Sequence, residues 1–161
     1  MHLHQQYFEY QVYDDVSELA PADAHLLQRA RAITQHAYAP YSHFRVGAAA
    51  LLANGQVVTG TNQENASYPV GICAERTTLS AVSSLFPNMA IQTLAVSYFN
   101  EQGLSNRPIS PCGICRQSLS EYENRTATPI RLLLSGQTGK IFVIEKASQL
   151  LPFSFSNEDM L

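Results

Sequence analysis

Three cysteines, Cys73, Cys112 and Cys115, fall in two short segments, and no other thiol exists among the 161 residues. An odd count cannot close into internal disulfides, and a reducing compartment keeps such thiols free. The fold is therefore constrained at the outset to bring two separated segments to one place, if the thiols act together. Cys112 and Cys115 form a C-x-x-C pair, which alone fits redox chemistry, metal binding or chance. A redox pair predicts neither Cys73 nor Glu75 two residues after it. Three thiolates with a carboxylate that need not be a ligand suit a zinc ion with one open coordination position. A structural zinc site wants a fourth protein ligand, and no second C-x-x-C surrounds Cys73. The five histidines (His2, His4, His25, His36, His43) show no ligand spacing with the cysteines and read as non-metal.

The pattern along the chain places both segments at helix starts. Ala22 to Ala37 carries Leu26, Leu27, Ala30 and Ile33 at helical spacing, with Pro21 suited to a first turn. Tyr38 to Ser42, with Pro40 inside it, reads as a loop. Phe44 to Ala53 and Gln56 to Thr61 read as strands joined by Asn54-Gly55, a strong hairpin signal. Cys73 to Phe86 reads as a helix between Gly71 and Pro87, Ile91 to Phe99 as a buried strand, and Cys112 to Glu123 as a helix entered through Pro111. Ile130 to Leu134 and Ile141 to Ile144 read as two more strands. The order predicts an α/β fold of three layers, α/β/α, with a mixed five-stranded sheet and helices on both faces. Residues 1–20 read as an N-terminal arm and 21–161 as a single domain. In the arm, the Phe8, Tyr10, Val12 alternation fits an added edge strand, a subunit contact or simple packing, of which packing is favoured.

A helix N-terminus favours thiolate over thiol through its free N–H groups and dipole. Three thiolates on a divalent zinc leave a net charge of −1, which Arg76 and the two helix ends can offset. Glu75, two residues from Cys73 on the same turn, can reach a water in the open position, take its proton and hand it to a substrate nitrogen. Taken singly, these residues have plainer readings: Glu75 as a solvated helix residue, Phe44 as core, and Asn62 and Glu64 as one polar strand face.

Composition removes other classes. The formal net charge is −3 with no basic run, so affinity for a polynucleotide through phosphate neutralisation is not expected. The longest apolar run, Val46 to Ala53, is too short to span a membrane. The first residues show no basic stretch followed by an apolar core, so no signal peptide is expected and the reading is cytoplasmic. Charged residues make up only 14% of the chain, against roughly 25% in typical soluble domains, which suggests surface hidden in an oligomer.

Cys73-Ala74-Glu75-Arg76 and Pro111-Cys112-Gly113-Ile114-Cys115-Arg116-Gln117 together resemble the signature of the zinc-dependent nucleoside and nucleobase deaminases. Tyr38-Ala39-Pro40-Tyr41-Ser42-His43-Phe44-Arg45-Val46-Gly47-Ala48-Ala49 and Gly60-Thr61-Asn62-Gln63-Glu64-Asn65-Ala66-Ser67-Tyr68-Pro69 narrow the resemblance to the cytidine deaminase branch of that family. The likeness is dense from Ala37 to about Glu121 and looser around Leu150-Leu151-Pro152 and Phe155.

The resemblance implies one zinc per chain held by Cys73, Cys112 and Cys115, with Glu75 as the acid/base. It implies substrate contacts from Phe44, Asn62, Glu64, Ala66, Tyr68, Ala74 and Phe155. Of these, Asn62 and Glu64 hold a ribose hydroxyl, while Tyr68 and Phe155 act across subunit boundaries. It further implies a homotetramer with shared sites. The activity implied is hydrolytic deamination of cytidine and 2′-deoxycytidine to uridine products and ammonia, in pyrimidine salvage. The alternatives are a deaminase of another aminopyrimidine nucleoside, such as a nucleoside antibiotic, or a non-enzymatic zinc or redox protein. The Asn62/Glu64 pair argues against a substrate without ribose. The partners expected are a small nucleoside and copies of the same chain, with neither nucleic acid nor membrane.

Overall fold

The computed structural model describes Met1–Leu161. Strands β1 (Gln11–Tyr13), β2 (Phe44–Leu52), β3 (Val57–Thr61), β4 (Ile91–Asn100), β5 (Arg131–Ser135) and β6 (Ile141–Ile144) form one sheet. Helices α1 (Pro21–Ile33), α2 (Ala74–Leu85) and α3 (Gly113–Thr126) pack on it. The strand order is β1-β6-β5-β4-β2-β3. Only β4 and β5 pair in parallel; the other neighbours are antiparallel.

The two faces follow from strand alternation. Ala49, Ala95, Leu133 and Ile141 point toward α1 and pack with Leu26, Leu27 and Ala30. Ala48, Ala50, Leu94, Val96, Leu132 and Leu134 point the other way, against Leu79, Val82 and Leu119 of α2 and α3. Because both faces are covered, the central strands read as nearly continuous apolar runs. The β2–β3 hairpin turns at Asn54-Gly55 as its sequence demands: Gly55 has φ +82°, and the Asn54 side chain accepts from the Gln56 N–H at 3.1 Å. Gly60 on β3 lies directly under α2, where an added Cβ would come within 2.6 Å of Thr78 Oγ1. That close approach seats the first turn of α2 on the sheet.

The sheet has six strands, not the five expected. The sixth is the arm itself: β1 pairs with β6, Val12 opposite Phe142, and the Tyr10 ring packs on Phe142 at 5.0 Å. Without it β6 would expose a row of unpaired amides at the sheet edge. Of the three readings open for the arm, the edge strand is the one observed, against the expectation of simple packing. Helix ends also moved by a few residues. The first helix stops at Ile33 and continues as a 3-10 turn, Thr34–His36, and α3 runs on to Thr126 before Ala127 turns left-handed at φ +49°.

One buried carboxylate ties this end of the fold together. Glu123 on α3 is 4% exposed. Its Oε1 accepts from the N–H of Ile130 at 2.8 Å and of Ala147 at 2.9 Å, and its Oε2 accepts from Ser148 at 3.1 Å. Glu123→Ala orphans the Ile130 and Ser148 amides and leaves the Ala147 N–H only its bond to the Ile130 carbonyl, so we expect a loss of about 3–5 kcal/mol in urea unfolding. Glu123→Gln, which keeps one acceptor oxygen, should lose distinctly less; equal stability of Glu123→Ala and the parent would contradict this account.

Candidate active site

β3 and β4 run in the same direction, since each is antiparallel to β2. The chain leaving β3 enters α2 and the chain leaving β4 enters α3, so both helices begin at the same end of the sheet. Cys73 and Cys112 are the residues immediately before those helices, each capping its N-terminus without a side-chain cap bond. Cys115, one turn into α3, is fully buried. The Cys73 and Cys112 sulfurs are 3.7 Å apart and those of Cys112 and Cys115 3.6 Å, with all three ligand atoms within 4.8 Å of one another.

A zinc ion about 2.3 Å from each sulfur in tetrahedral geometry would space the sulfurs about 3.8 Å apart. The three thiols fit that requirement. Their electrostatics fit it too. The Cys115 thiol donates toward Cys73 and pulls its pKa down to about 6, aided by the Cys112 thiol and the charge of Arg76 against the cost of burial. Cys115 itself is pushed up, first by its hydrogen bond to Cys73 and then by burial. Arg76, expected from the sequence to offset the thiolates, lies near enough for its charge to favour the Cys73 thiolate.

Glu75 is the second residue of α2 and is 5% exposed. Burial pushes its carboxyl above the usual carboxylate range, and the neighbouring Cys73 adds to the effect. A carboxyl so placed exchanges protons nearer neutrality than a surface glutamate does.

The cleft in front of these groups has a volume of about 340 Å³. Phe44, Asn62, Glu64, Tyr68, Cys73, Ala74, Glu75 and Cys112 all line it, residues that sequence reading assigned to metal, acid/base and substrate. Asn62 and Glu64 get there by a local device. The 62–64 segment is gripped between Tyr38 and Ile72, with Gln63 bridging to both. The Tyr38 N–H donates to the Asn62 carbonyl at 3.2 Å, and the Glu64 N–H donates to the Tyr38 carbonyl at 2.8 Å.

The Asn62 carboxamide clamps β2, accepting from the Val46 N–H at 2.7 Å and donating to the Phe44 carbonyl at 2.9 Å. Glu64 Oε2 accepts from the N–H groups of Tyr41 at 2.9 Å and Ser42 at 3.3 Å. Despite some desolvation, the Ser42 hydroxyl and these backbone donors hold the Glu64 carboxyl below its usual range. It is thus a fixed anion at the mouth of the cleft.

Two assigned residues lie elsewhere on this chain. Ala66 is exposed on the bend after Glu64. Phe155, 60% exposed, is in the C-terminal tail, where its carbonyl accepts from Gln117 Nε2 at 2.8 Å; neither lines the cleft. The structure also adds Val46, Ile72, Ile109 and Ser110 to the wall. Ile109 and Ser110 belong to the coil after β4, where no periodicity marks a residue. Their nearness to Pro111-Cys112 was the available signal.

A three-layer fold that gathers three thiols and a buried glutamate at two adjacent helix starts defines a hydrolytic zinc-deaminase class of protein. The family model for the cytidine and deoxycytidylate deaminase zinc-binding region matches residues 21–128, and the chain belongs to that family. A probable cytidine deaminase from Dictyostelium discoideum is 39% identical over 131 residues, 79% of each chain. The cytidine deaminase of Halalkalibacterium halodurans is 38% identical over 135 residues, 84% of this chain and 95% of that one. Among solved structures, cytidine deaminase from Burkholderia pseudomallei superposes with a TM-score of 0.71 at 35% identity, over 85% of this chain and all of the other. The Mycobacterium tuberculosis cytidine deaminase gives 0.64 at 30% identity, over 85% and 98%. No helix is long and apolar enough to cross a membrane.

Proposed function

We propose that the chain hydrolyses cytidine and 2′-deoxycytidine to the corresponding uridines and ammonia, as a single catalytic domain over residues 21–161 extended by the arm. One observation carries the choice of a nucleoside over a nucleotide within a family that embraces both. The cleft wall contains no Lys, Arg or His, and it carries Glu64 at its mouth. A substrate phosphate would meet no lining cation and one fixed anion, a like-charge contact. A sugar hydroxyl, by contrast, finds the remaining lone pairs of Glu64 and the second amide hydrogen of Asn62.

Cys73, Cys112 and Cys115 would hold the zinc, which when bound supplies Lewis acidity and makes water acidic near neutral pH. The chain does the rest. Phe44 packs against sugar and base. The backbone at Cys73 and Ala74, with the Glu75 carboxyl, reads the pyrimidine edge. Glu75 accepts one proton of the water that adds to C4 and delivers it to N3; it then takes the proton left on the new C4 hydroxyl and passes it to the amino group, so that C4–N breaks as C4=O forms and ammonia leaves. The direct test is ammonia release from cytidine and from cytidine 5′-monophosphate, together with zinc per chain. We expect about one zinc and turnover of the nucleoside, with the monophosphate far poorer. Absence of nucleoside turnover in zinc-replete protein would overturn the reading.

The same proposal includes a homotetramer with shared sites, working in the cytoplasm on free nucleosides. It is supported by the low charge content and by Tyr68 and Phe155, 73% and 60% exposed on one chain although aromatic. Base–aromatic stacking is worth about 1–3 kcal/mol in nucleic-acid-binding proteins, so Phe155→Ala should cost roughly 5- to 150-fold in kcat/KM and leave zinc content unchanged. Light scattering with activity over a dilution series checks the assembly: a fully active species of monomer mass would refute the shared site.

A further inference from the structure

Phe44 is the aromatic wall of the cleft, and the structure shows how its backbone is fixed. Its N–H donates to Ser42 Oγ at 3.1 Å, and its carbonyl accepts from Asn62 Nδ2. The next outward-paired amide, Val46 N–H, donates to Asn62 Oδ1. These three bonds hold the Cα in place and leave the side-chain torsions untouched. A half-buried phenyl on a fixed Cα can still turn out of a cleft.

What stops it is a second ring. Tyr98 on β4 is the register partner of Val46, so its side chain shares a face with Val46 and, two residues back along β2, with Phe44. The Phe44 and Tyr98 rings are stacked, with centroids 4.7 Å apart and planes 16° from parallel. Tyr98 is 2% exposed and is not part of the cleft wall. Its carbonyl, beyond the end of the β4–β5 pairing, accepts from Gln137 Nε2 at 3.1 Å, so the ring stands on an anchored backbone.

We propose that Tyr98 is a positioning residue: it backs the ring of Phe44 and thereby sets how closely the cleft wall presses on the bound nucleoside. The inference rests on the nucleoside reading above. Phe44, through which Tyr98 acts, is a wall residue and neither the acid/base nor a thiol, so the effect falls on binding and not on the chemical step. The phenol oxygen has no part in it, and a phenyl ring serves equally.

The test uses full-length, zinc-loaded protein with cytidine as substrate. Tyr98→Leu keeps apolar bulk and removes the flat ring; we expect KM to rise about 3- to 10-fold, the range of an aromatic pair, with kcat within about twofold and zinc unchanged. Tyr98→Phe should restore the parent KM. In a Phe44→Leu background, Tyr98→Leu should add nothing, because the two act as one unit. If the leucine protein fails to fold, Tyr98→Met takes its place in the same cycle. A parent-like KM in Tyr98→Leu, a loss confined to kcat, or full additivity with Phe44→Leu would each overturn the positioning role while parent turnover stands. A parent protein inactive on cytidine would instead overturn the nucleoside reading, and this inference with it.

Discussion

Glu75→Gln is expected to retain one zinc per chain and the parent fold while losing most turnover, by about 10²–10⁴-fold or more in kcat. Glutamine matches glutamate in size, so the packing at a residue only 5% exposed is preserved. What it cannot do is carry a proton. Burial holds the Glu75 carboxyl at a raised pKa, which suits a group that must gain and lose a proton in each cycle. Because the proposed cycle uses the same carboxyl to take a proton from water and then to serve two nitrogens, the loss should lie at the upper end of the usual range. Metal analysis beside a steady-state ammonia assay decides the matter. An active Glu75→Gln protein contradicts the acid/base role, and one that has lost its zinc makes Glu75 a ligand.

Cys112→Ala is expected to lose metal and activity together, to below detection in a dialysed preparation. Cys112 is the right cysteine to change. Its sulfur lies 3.7 Å from that of Cys73 and 3.6 Å from that of Cys115, so the three-sulfur set cannot close without it. It is also the exposed member of the set, whereas Cys115 is in the core, where a truncation would confound metal loss with a packing defect. The parent should in addition lose thermal stability on chelation, since a ligand bound only to the folded state stabilises it by mass action. The Cys112→Ala protein should show no such response. Stoichiometric zinc and full activity in Cys112→Ala would refute the three-thiol site.

Glu123 and Glu75 make an instructive pair. Both are buried glutamates on helices packed against the same face of the sheet. Glu123 is surrounded by three backbone donors and serves the fold; Glu75 faces a cleft and three thiols and is available for chemistry. Nothing in the residue type separates them. Their surroundings do: donors that arrive from Ile130, Ala147 and Ser148 belong to parts of the chain distant from Glu123's own turn, and only the folded chain brings them there.

The elements legible in the sequence were those whose signals are short-range. Asn54-Gly55 predicted its hairpin because φ at Gly55 is a local property. Cys73-Ala-Glu75 and the Cys112/Cys115 pair lie within one helical turn each, so their geometry follows from helix formation. The apolar periods of α1, α2 and the central strands were equally local. The Phe8, Tyr10, Val12 alternation of the arm fits a strand but says nothing of a partner; it becomes one only where the β6 edge offers it hydrogen bonds and Phe142 offers Tyr10 a ring. Asn62 read as a sugar contact, yet its carboxamide is also a clamp on β2, a role set by where β2 happens to pass.

The three candidate thiols, Glu75 and the Asn62/Glu64 pair are legible in the linear chain, because each lies in a short segment of characteristic residue types. Folding alone brings the thiols to metal-binding distance, puts Ile109 and Ser110 in the cleft wall and stands Tyr98 behind Phe44. These are contacts between segments tens of residues apart. Their partners are chosen by strand order and helix seating, which depend on the burial of the whole core and leave no mark in any short stretch of chain.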